Sequence, residues 1–198
     1  MTENNKPWVG GLLLAAGGSS RLGQPKQLVE FEGKTLIRRA AEALIGAGCS
    51  PVIVVLGAEM DGSTKALDGL AAEIVVNIDW ANGMGSSIAH GMRAVESHRS
   101  KPDALLLSLC DQPHVNAAHI RKFIDTFTTT RSDVIAAYYN DVAGVPALFS
   151  SSLFPSLSSL KGDKGAREII RNFPDAVTIP LPVAAIDVDT VSDLRRLA

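Results

Sequence analysis

Five stretches of this chain are apolar almost without interruption and no longer than a strand: residues 9–15 (VGGLLLA), 52–57 (VIVVLG), 74–77 (IVVN), 104–109 (ALLLSL) and 134–138 (VIAAY). Short runs without polar alternation suit strands covered on both faces, as in a parallel sheet. Helical patterns separate them. In TLIRRAAEALIGAG, Leu36, Ala40, Ala43, Leu44 and Ala47 share one helical face and Gly48 is the stop signal. Residues 86–97 predict a second helix, capped by Ser86 and carrying Ile88, Met92 and Val95 inward; residues 117–128 predict a third. Strand and helix in alternation point to an α/β, mostly parallel sheet with helices on both faces.

The last third reads differently. AAYYNDVAGVPALF predicts two short strands around an Asn140-Asp141 turn, a small antiparallel excursion. A Ser-rich connection leads to a helix after Asp163; VTIPLP predicts a final strand and residues 191–198 a terminal helix. The chain reads as a single domain over residues 1–198, with 1–7 a frayed polar tail. A net charge of -2 offers no basic field for nucleic acid or a membrane surface, and no run approaches a membrane span. Cys49 and Cys110 lack metal-type spacing and read as buried free thiols. The N-terminus lacks a basic segment followed by an apolar one, so the expected compartment is the cytoplasm.

Ligands of such sheets bind beyond the carboxyl ends of the strands. There the first strand meets LAAGGSSRLGQPKQL. Gly17 and Gly18 allow amide groups to converge on an anion. Arg21 offers a planar fork and Lys26 a mobile charge, both suited to polyphosphate. A flexible surface loop with two solvated cations would look the same. Gly18 and Gly23 have P-loop spacing, but Gln24-Pro25-Lys26 follows, and no dinucleotide Gly-x-Gly-x-x-Gly fingerprint is present. Asp111, in LCDQP at the end of another buried strand, suits a Mg2+ ligand; it also suits a turn and cap before the next helix. Asp187 and Asp189 project to the same side of an extended segment and suit a metal, or a cap of the last helix. In NGMGSS, Asn82, Gly83, Ser86 and Ser87 suit either a nucleoside site or a turn and helix cap. Lys161, Lys164 and Arg167 form a small basic group, either a solvated face or a dock for a phosphate-bearing acceptor. His90, His98, His114 and His119 show no zinc spacing, and Cys110 beside an acid reads as structural.

These motifs resemble, in order and over nearly the whole chain, the MobA-like nucleotidyltransferases, in particular their molybdenum cofactor cytidylyltransferase branch. LAAGGSSRLGQPKQL is similar to the family's nucleotide-binding signature, which implies nucleotide contacts from Leu14, Ala15, Ala16, Gly17, Gly18 and Lys26. Arg21 and Lys26 fall at triphosphate-contacting positions. NIDWANGMGSSIAHG resembles the segment lining the nucleoside pocket, which carries Asn82, Gly83, Ser86 and Ser87. LCDQP resembles the metal-binding motif with Asp111 at the metal position, and Asp189 falls where related enzymes carry a second metal ligand. Ala16 and Gln112-Pro113 resemble the CTP-using branch. Val145 departs from it, since the family often has His or Arg before that proline.

The resemblance implies a Rossmann-like three-layer fold and transfer of CMP from CTP to the phosphate of molybdopterin-bound molybdenum, with Mg2+ and release of pyrophosphate. Arg21, Lys26 and Asp111 are the implied catalytic residues. The implied partners are CTP, a molybdopterin-type cofactor, and a client molybdoenzyme or its maturation factor. The rival readings are the same chemistry on a sugar or polyol phosphate, a non-catalytic cofactor carrier, and a nicotinamide oxidoreductase. The last lacks the glycine fingerprint and has Gly57, not an acid, at the second strand end.

Overall fold

The computed structural model describes residues 6–197, so most of the tail expected over residues 1–7 lies outside the described part. The order is β1 (Val9–Ala15), a hairpin of β2 (Glu30–Phe31) and β3 (Lys34–Thr35), α1 (Leu36–Ala47), β4 (Val52–Leu56), α2 (Met60–Ala66), β5 (Glu73–Val76), α3 (Met84–Ser97), β6 (Ala104–Leu109), α4 (Ala117–Thr130), β7 (Val134–Tyr139), β8 (Val142–Ser150), α5 (Phe154–Ser158), α6 (Ala166–Arg171), β9 (Val177–Pro180) and α7 (Val191–Leu197). The main sheet has seven strands in the order β5-β4-β1-β6-β8-β7-β9. Only β8 runs against the others. Its hairpin with β7 turns at Asn140 and Asp141, both at positive φ (48° and 57°). Two left-handed residues match the right-handed twist of the flanking strands, and Asn and Asp tolerate that conformation. The antiparallel excursion is therefore a strand inside the sheet, between β6 and β7.

All residues of β1 are buried, because the sheet carries helices on both faces. Leu13 and Val54 face α1 and α4, meeting Ile37, Leu44, Ile120 and Phe123. Leu12, Leu14, Ile53 and Val55 face the opposite way, toward Ile88 and Met92 of α3, Leu157 of α5 and Ile169 of α6. This period-two division is how an unbroken apolar run serves two cores at once. Leu22, Val29, Leu36 and Val188 form a third, small cluster that ties the loop after β1 to the C-terminal segment.

Two elements escape the sequence pattern. α2 has the composition MDGSTKA, whose Gly and Ser are weak helix formers. It lies over the turn at residues 26–28, where a Cβ on Gly62 would come within 2.6 Å of Leu28. The β2–β3 hairpin is four residues of strand around Glu32-Gly33, too short for periodicity to register.

Candidate active site

The loop after β1 is shaped from within by Gln27, which is completely buried. Its amide donates to the carbonyls of Ala15 (2.9 Å) and Gly17 (2.7 Å), drawing the chain back under the end of β1. The Ser19 hydroxyl accepts from the Lys26 amide at 3.0 Å. Together these bonds present Lys26 toward the end of β6. Gln27 escaped sequence reasoning; the signal available was a polar side chain just before a return to apolar residues.

Lys26 is the hub of a charge chain. Its Nζ lies 2.6 Å from Asp111 Oδ2 and 3.0 Å from Asp189 Oδ1, while Arg21 Nη2 lies 2.8 Å from Asp189 Oδ2. Lys26 and Asp111 are largely buried, whereas the Arg21 side chain is 71% exposed. Burial works against the Lys26 charge, but Asp111 and Asp189 outweigh it and hold its pKa above the ordinary lysine value. Burial likewise opposes the Asp189 charge; Lys26 and Arg21 override it and lower the pKa. Asp187 has no such cation, so burial, Asp111 and Asp189 raise its pKa. Burial and the adjacent Asp111 push the Cys110 thiol up to about 12, so it stays protonated, in keeping with a structural residue.

Both acids are held in place through their backbones. The Asp111 carbonyl accepts from Val188 N at 3.0 Å. Next to Asp111, buried Gln112 donates to the carbonyls of Val145 (3.0 Å) and Ala184 (2.8 Å). Val188 is buried in the third cluster, so alternation directs Asp187 and Asp189 away from it, toward the cleft. The Asp111 and Asp189 carboxylates are instead engaged by Lys26 and Arg21. Asn116 caps α4, accepting from His119 N at 3.1 Å, and Asp193 accepts from the amides of Asp189 and Thr190 ahead of α7.

The opposite wall is built around Asn77, which is fully buried at the end of β5. Its Nδ2 donates to the hydroxyls of Ser86 (2.8 Å) and Ser87 (3.1 Å). α3 starts at Met84, two residues earlier than its sequence signal, with Gly83 rather than Ser86 at the cap. The Ser86 hydroxyl instead donates to the Asp79 carbonyl at 3.0 Å. Gly83 has φ 98°, and a Cβ there would meet Gly162 and Asp163 at 2.5 Å. That close approach sets residues 162–165 against the start of α3 and brings Asp163 to the cleft.

A cavity of about 400 Å3 lies between these walls. Leu14, Ala15, Ala16, Gly17, Lys26, Gly83, Ser87 and Asp111 line it, joined by Trp80 and Met84 from the NIDWANGMGSSIAHG segment and by Asp163 from the late loop. Gly18, Asn82 and Ser86 are not part of this lining; Gly18 packs on the Trp80 ring, and a Cβ there would touch it at 2.9 Å. A second, wider space continues from it past Lys26, Met84, Leu109, Asp111 and Asp163 to Arg21, Asp187, Asp189 and α6. Of the late basic group, Lys164 and Arg167 line this space, but Lys161 does not, and Lys164 is paired with Glu168 at 2.9 Å.

Among the described residues, Asp111 Oδ1 is buried without a hydrogen-bond partner. Two carboxylates already sharing one cation, with one oxygen left over, are a suitable donor set for a hard divalent ion. Among the described residues no group of three or more His, Cys, Asp or Glu forms a ready-made metal cluster. A Mg2+-like ion needs only one or two protein carboxylates when phosphate oxygens and water complete its shell. Among the described residues no helix is long and apolar enough to cross a membrane.

A loop that closes on itself after the first strand, opening on a cleft of two cations and paired acids at the carboxyl edge of a mostly parallel sheet, defines an α/β nucleotidyltransferase fold. Residues 11–177 match the MobA-like NTP transferase domain, and the chain belongs to that family. It is 33% identical to a protein named nicotine blue oxidoreductase from Paenarthrobacter nicotinovorans, over the full length of both chains. The crystal structure of Rv0371c from Mycobacterium tuberculosis H37Rv has a TM-score of 0.79 and 30% identity, over 96% of this chain and 97% of that one. That protein has also been crystallised with manganese. A probable molybdenum cofactor guanylyltransferase of Opitutus terrae is 35% identical over 36% of this chain and 35% of its own.

Proposed function

We propose that the protein transfers CMP from CTP to the terminal phosphate of a molybdenum–molybdopterin cofactor, releasing pyrophosphate. The observation that carries the reading is Asp111, with one oxygen on Lys26 and the other buried and unpartnered, at the mouth of the cavity beneath the loop after β1. The acceptor class is supported by the relative named for molybdenum cofactor guanylylation, and the choice of CTP by Ala16 and Gln112-Pro113.

In the proposed reaction an oxygen of the acceptor phosphate forms a bond to the α-phosphorus of CTP. The bond from that phosphorus to the bridging oxygen breaks, and its electron pair leaves with pyrophosphate. The nucleophile is already an anion, so no side chain has to remove a proton. The backbone of residues 14–17 and the Asn77-held Ser87 position the nucleoside. Arg21 and Lys26 carry the charge that grows on the leaving group. Asp111 and Asp189 would hold Mg2+, which when bound neutralises phosphate charge as a Lewis acid.

The test offers each of the four ribonucleoside triphosphates with molybdopterin cofactor, or with a polyol phosphate, and measures pyrophosphate. Release with CTP and the molybdenum cofactor alone supports the reading. GTP in place of CTP refutes the base, the polyol phosphate refutes the acceptor, and cofactor binding without any release refutes catalysis. Asp111→Asn should abolish release while leaving the unfolding transition cooperative.

The full-length relative named nicotine blue oxidoreductase favours a second reading, oxidoreduction of nicotine blue. Against it, the crevice beyond β4 is filled: a Cβ on Gly57 would meet Trp80 at 2.7 Å and the Ala16 carbonyl at 2.5 Å. NADPH consumption with nicotine blue, measured in the same preparation, separates the two.

A further inference from the structure

Asn77 is completely buried, and both polar atoms of its side chain are committed. Its backbone amide donates to the Leu56 carbonyl at 2.8 Å, which extends the β4–β5 ladder by one residue and fixes where the side chain starts. Its Oδ1 accepts from the Asp79 amide at 3.0 Å. A backbone N–H can only donate, so the side-chain amide cannot be turned over and Nδ2 must face α3. There it donates to the hydroxyls of Ser86 and Ser87. The two hydroxyls differ in what they have left. Ser86 gives its own proton to the Asp79 carbonyl. Ser87 lines the cavity, and nothing among the described residues accepts its proton. A hydroxyl that already accepts from an amide has its O–H to offer a ligand.

The loop after β1 has the same polarity. Its carbonyls at residues 14–17 are all engaged: Leu14 accepts from Cys110 N at 3.3 Å, Ala16 from Ala58 N at 3.2 Å, and Ala15 and Gly17 from the Gln27 side chain. No acceptor among the described residues takes the amides of Ala16 and Gly17. Both segments therefore present N–H or O–H groups to the cavity. The other acceptors of the lining, the carboxylates of Asp111 and Asp163, come from the end of β6 and from the late loop. A ligand edge that carries a proton would set donor against donor and leave both unpaired. Cytosine offers N3 and O2, adjacent atoms that accept and carry no hydrogen. Uracil has the same size and shape but bears a proton at N3. Guanine meets the same requirement only with its N7 and O6 edge.

We propose that Asn77 is a positioning residue that fixes the hydrogen-bond polarity of the nucleoside site: by donating to Ser87 it makes that hydroxyl a donor to the base, and the cavity takes cytosine in preference to uracil. Asn77 itself touches no ligand. Its bond to Ser86 alone is enough to pin α3 to β5, and the second bond, to Ser87, acts on the cavity. The assignment rests on the nucleotidyl transfer proposed above and adds to it the group that enforces the choice of pyrimidine.

The test titrates the whole chain by calorimetry, with Mg2+ present, using CTP, UTP, zebularine triphosphate and inorganic tripolyphosphate. Zebularine keeps the N3 and O2 of cytosine without its 4-amino group, and tripolyphosphate has no nucleoside. CTP and zebularine triphosphate should bind the unaltered protein roughly tenfold or more tightly than UTP does. In Asn77→Asp the second oxygen can only accept, so Ser87 turns its proton away from the cavity. The preference for CTP over UTP should then fall roughly tenfold, with the affinity for tripolyphosphate unchanged. Ser87→Ala removes the donor without burying a charge, and should lose the same preference even where Asn77→Asp folds poorly. The double variant should lose no more preference than Ser87→Ala, because Asn77 acts through Ser87. Equal affinities of the parent for CTP and UTP overturn the proposal, and so does an unaltered preference in Ser87→Ala. An equal loss of CTP and tripolyphosphate affinity in Asn77→Asp also overturns it, since Asn77 would then serve the fold alone. A parent that prefers CTP through Asn77 and Ser87, yet releases no pyrophosphate with the molybdenum cofactor, refutes the transfer reading and leaves this assignment standing.

Discussion

Lys26→Met removes the one ammonium that holds Asp111 and Asp189 together and leaves a side chain of similar length. At 2.6 and 3.0 Å, and an effective dielectric constant of about 20, each pair has a gross attraction of roughly 6 kcal/mol. Desolvation cancels much of it. Breaking a buried pair by removing one partner costs about 3–5 kcal/mol. Asp189 is 28% exposed and water recovers part of its loss, so the lower end, about 3 kcal/mol, applies. For a chain of this size that is a fall in Tm of roughly 6–12 °C in metal-free buffer. The variant should then respond to a divalent ion more strongly than the parent. With Lys26 gone, both carboxylates and the unpartnered Asp111 Oδ1 face a cation without competition. Mn2+ at about a hundred times its Kd contributes about 2.7 kcal/mol, enough to restore nearly all of the loss. In the parent the ion must first displace the ammonium, so its Tm should move less. Differential scanning calorimetry with and without Mn2+ reads both quantities, and the Lys26→Met/Asp111→Asn double variant should lose the rescue. An unchanged Tm on removing Lys26, or a parent that gains as much from Mn2+ as the variant, refutes the reasoning.

Arg21→Ala should lower turnover about a hundredfold, the typical cost of a donor aimed at developing charge, yet leave Tm nearly unchanged because the side chain is mostly exposed; a large fall in Tm contradicts this. Gln27→Leu leaves the Ala15 and Gly17 carbonyls without their shared donor and should cost about 2 kcal/mol in urea unfolding. KM for the nucleotide should rise with it, and an unaltered KM would separate the loop from the site. Asp133 accepts from the Ser150 and Ser152 hydroxyls, and these bonds lower its pKa. Its contribution to stability is therefore present above the ordinary 3.8 and lost as pH falls through the lowered value. Ser150→Ala should flatten the acid limb of a stability–pH curve; an unchanged limb assigns it to other carboxylates.

Several residues of the site could be recognised before folding was considered, because their signals are local. The glycine loop follows a strand that its apolar run marks by itself, and Asp111 follows another. Other parts had no local signal. Trp80 and Asp163 reach the cavity from a turn and from a late loop; Trp80 sits in a segment the family resemblance covers, but neither residue's own chemistry marks it as a lining residue. Ser86 carries a helix-cap signal, but its hydroxyl is claimed by Asn77 and by the Asp79 carbonyl. Local propensity yields there to a buried polar group that must be satisfied.

The sequence by itself determined the alternation of strand and helix, the two-sided burial of β1, β4 and β6, and which residue types suit a phosphate, since each follows from periodicity or side-chain chemistry over a few neighbouring positions. Tertiary structure alone decided that β8 slots between β6 and β7, and that Lys26 meets Asp189 across 163 positions of chain. It likewise set Arg167 and Arg171 of α6 beside Val142 and Ala143 of β8. Such outcomes depend on which surfaces pack together and which charges then find partners, and no short window of sequence contains both sides of those contacts.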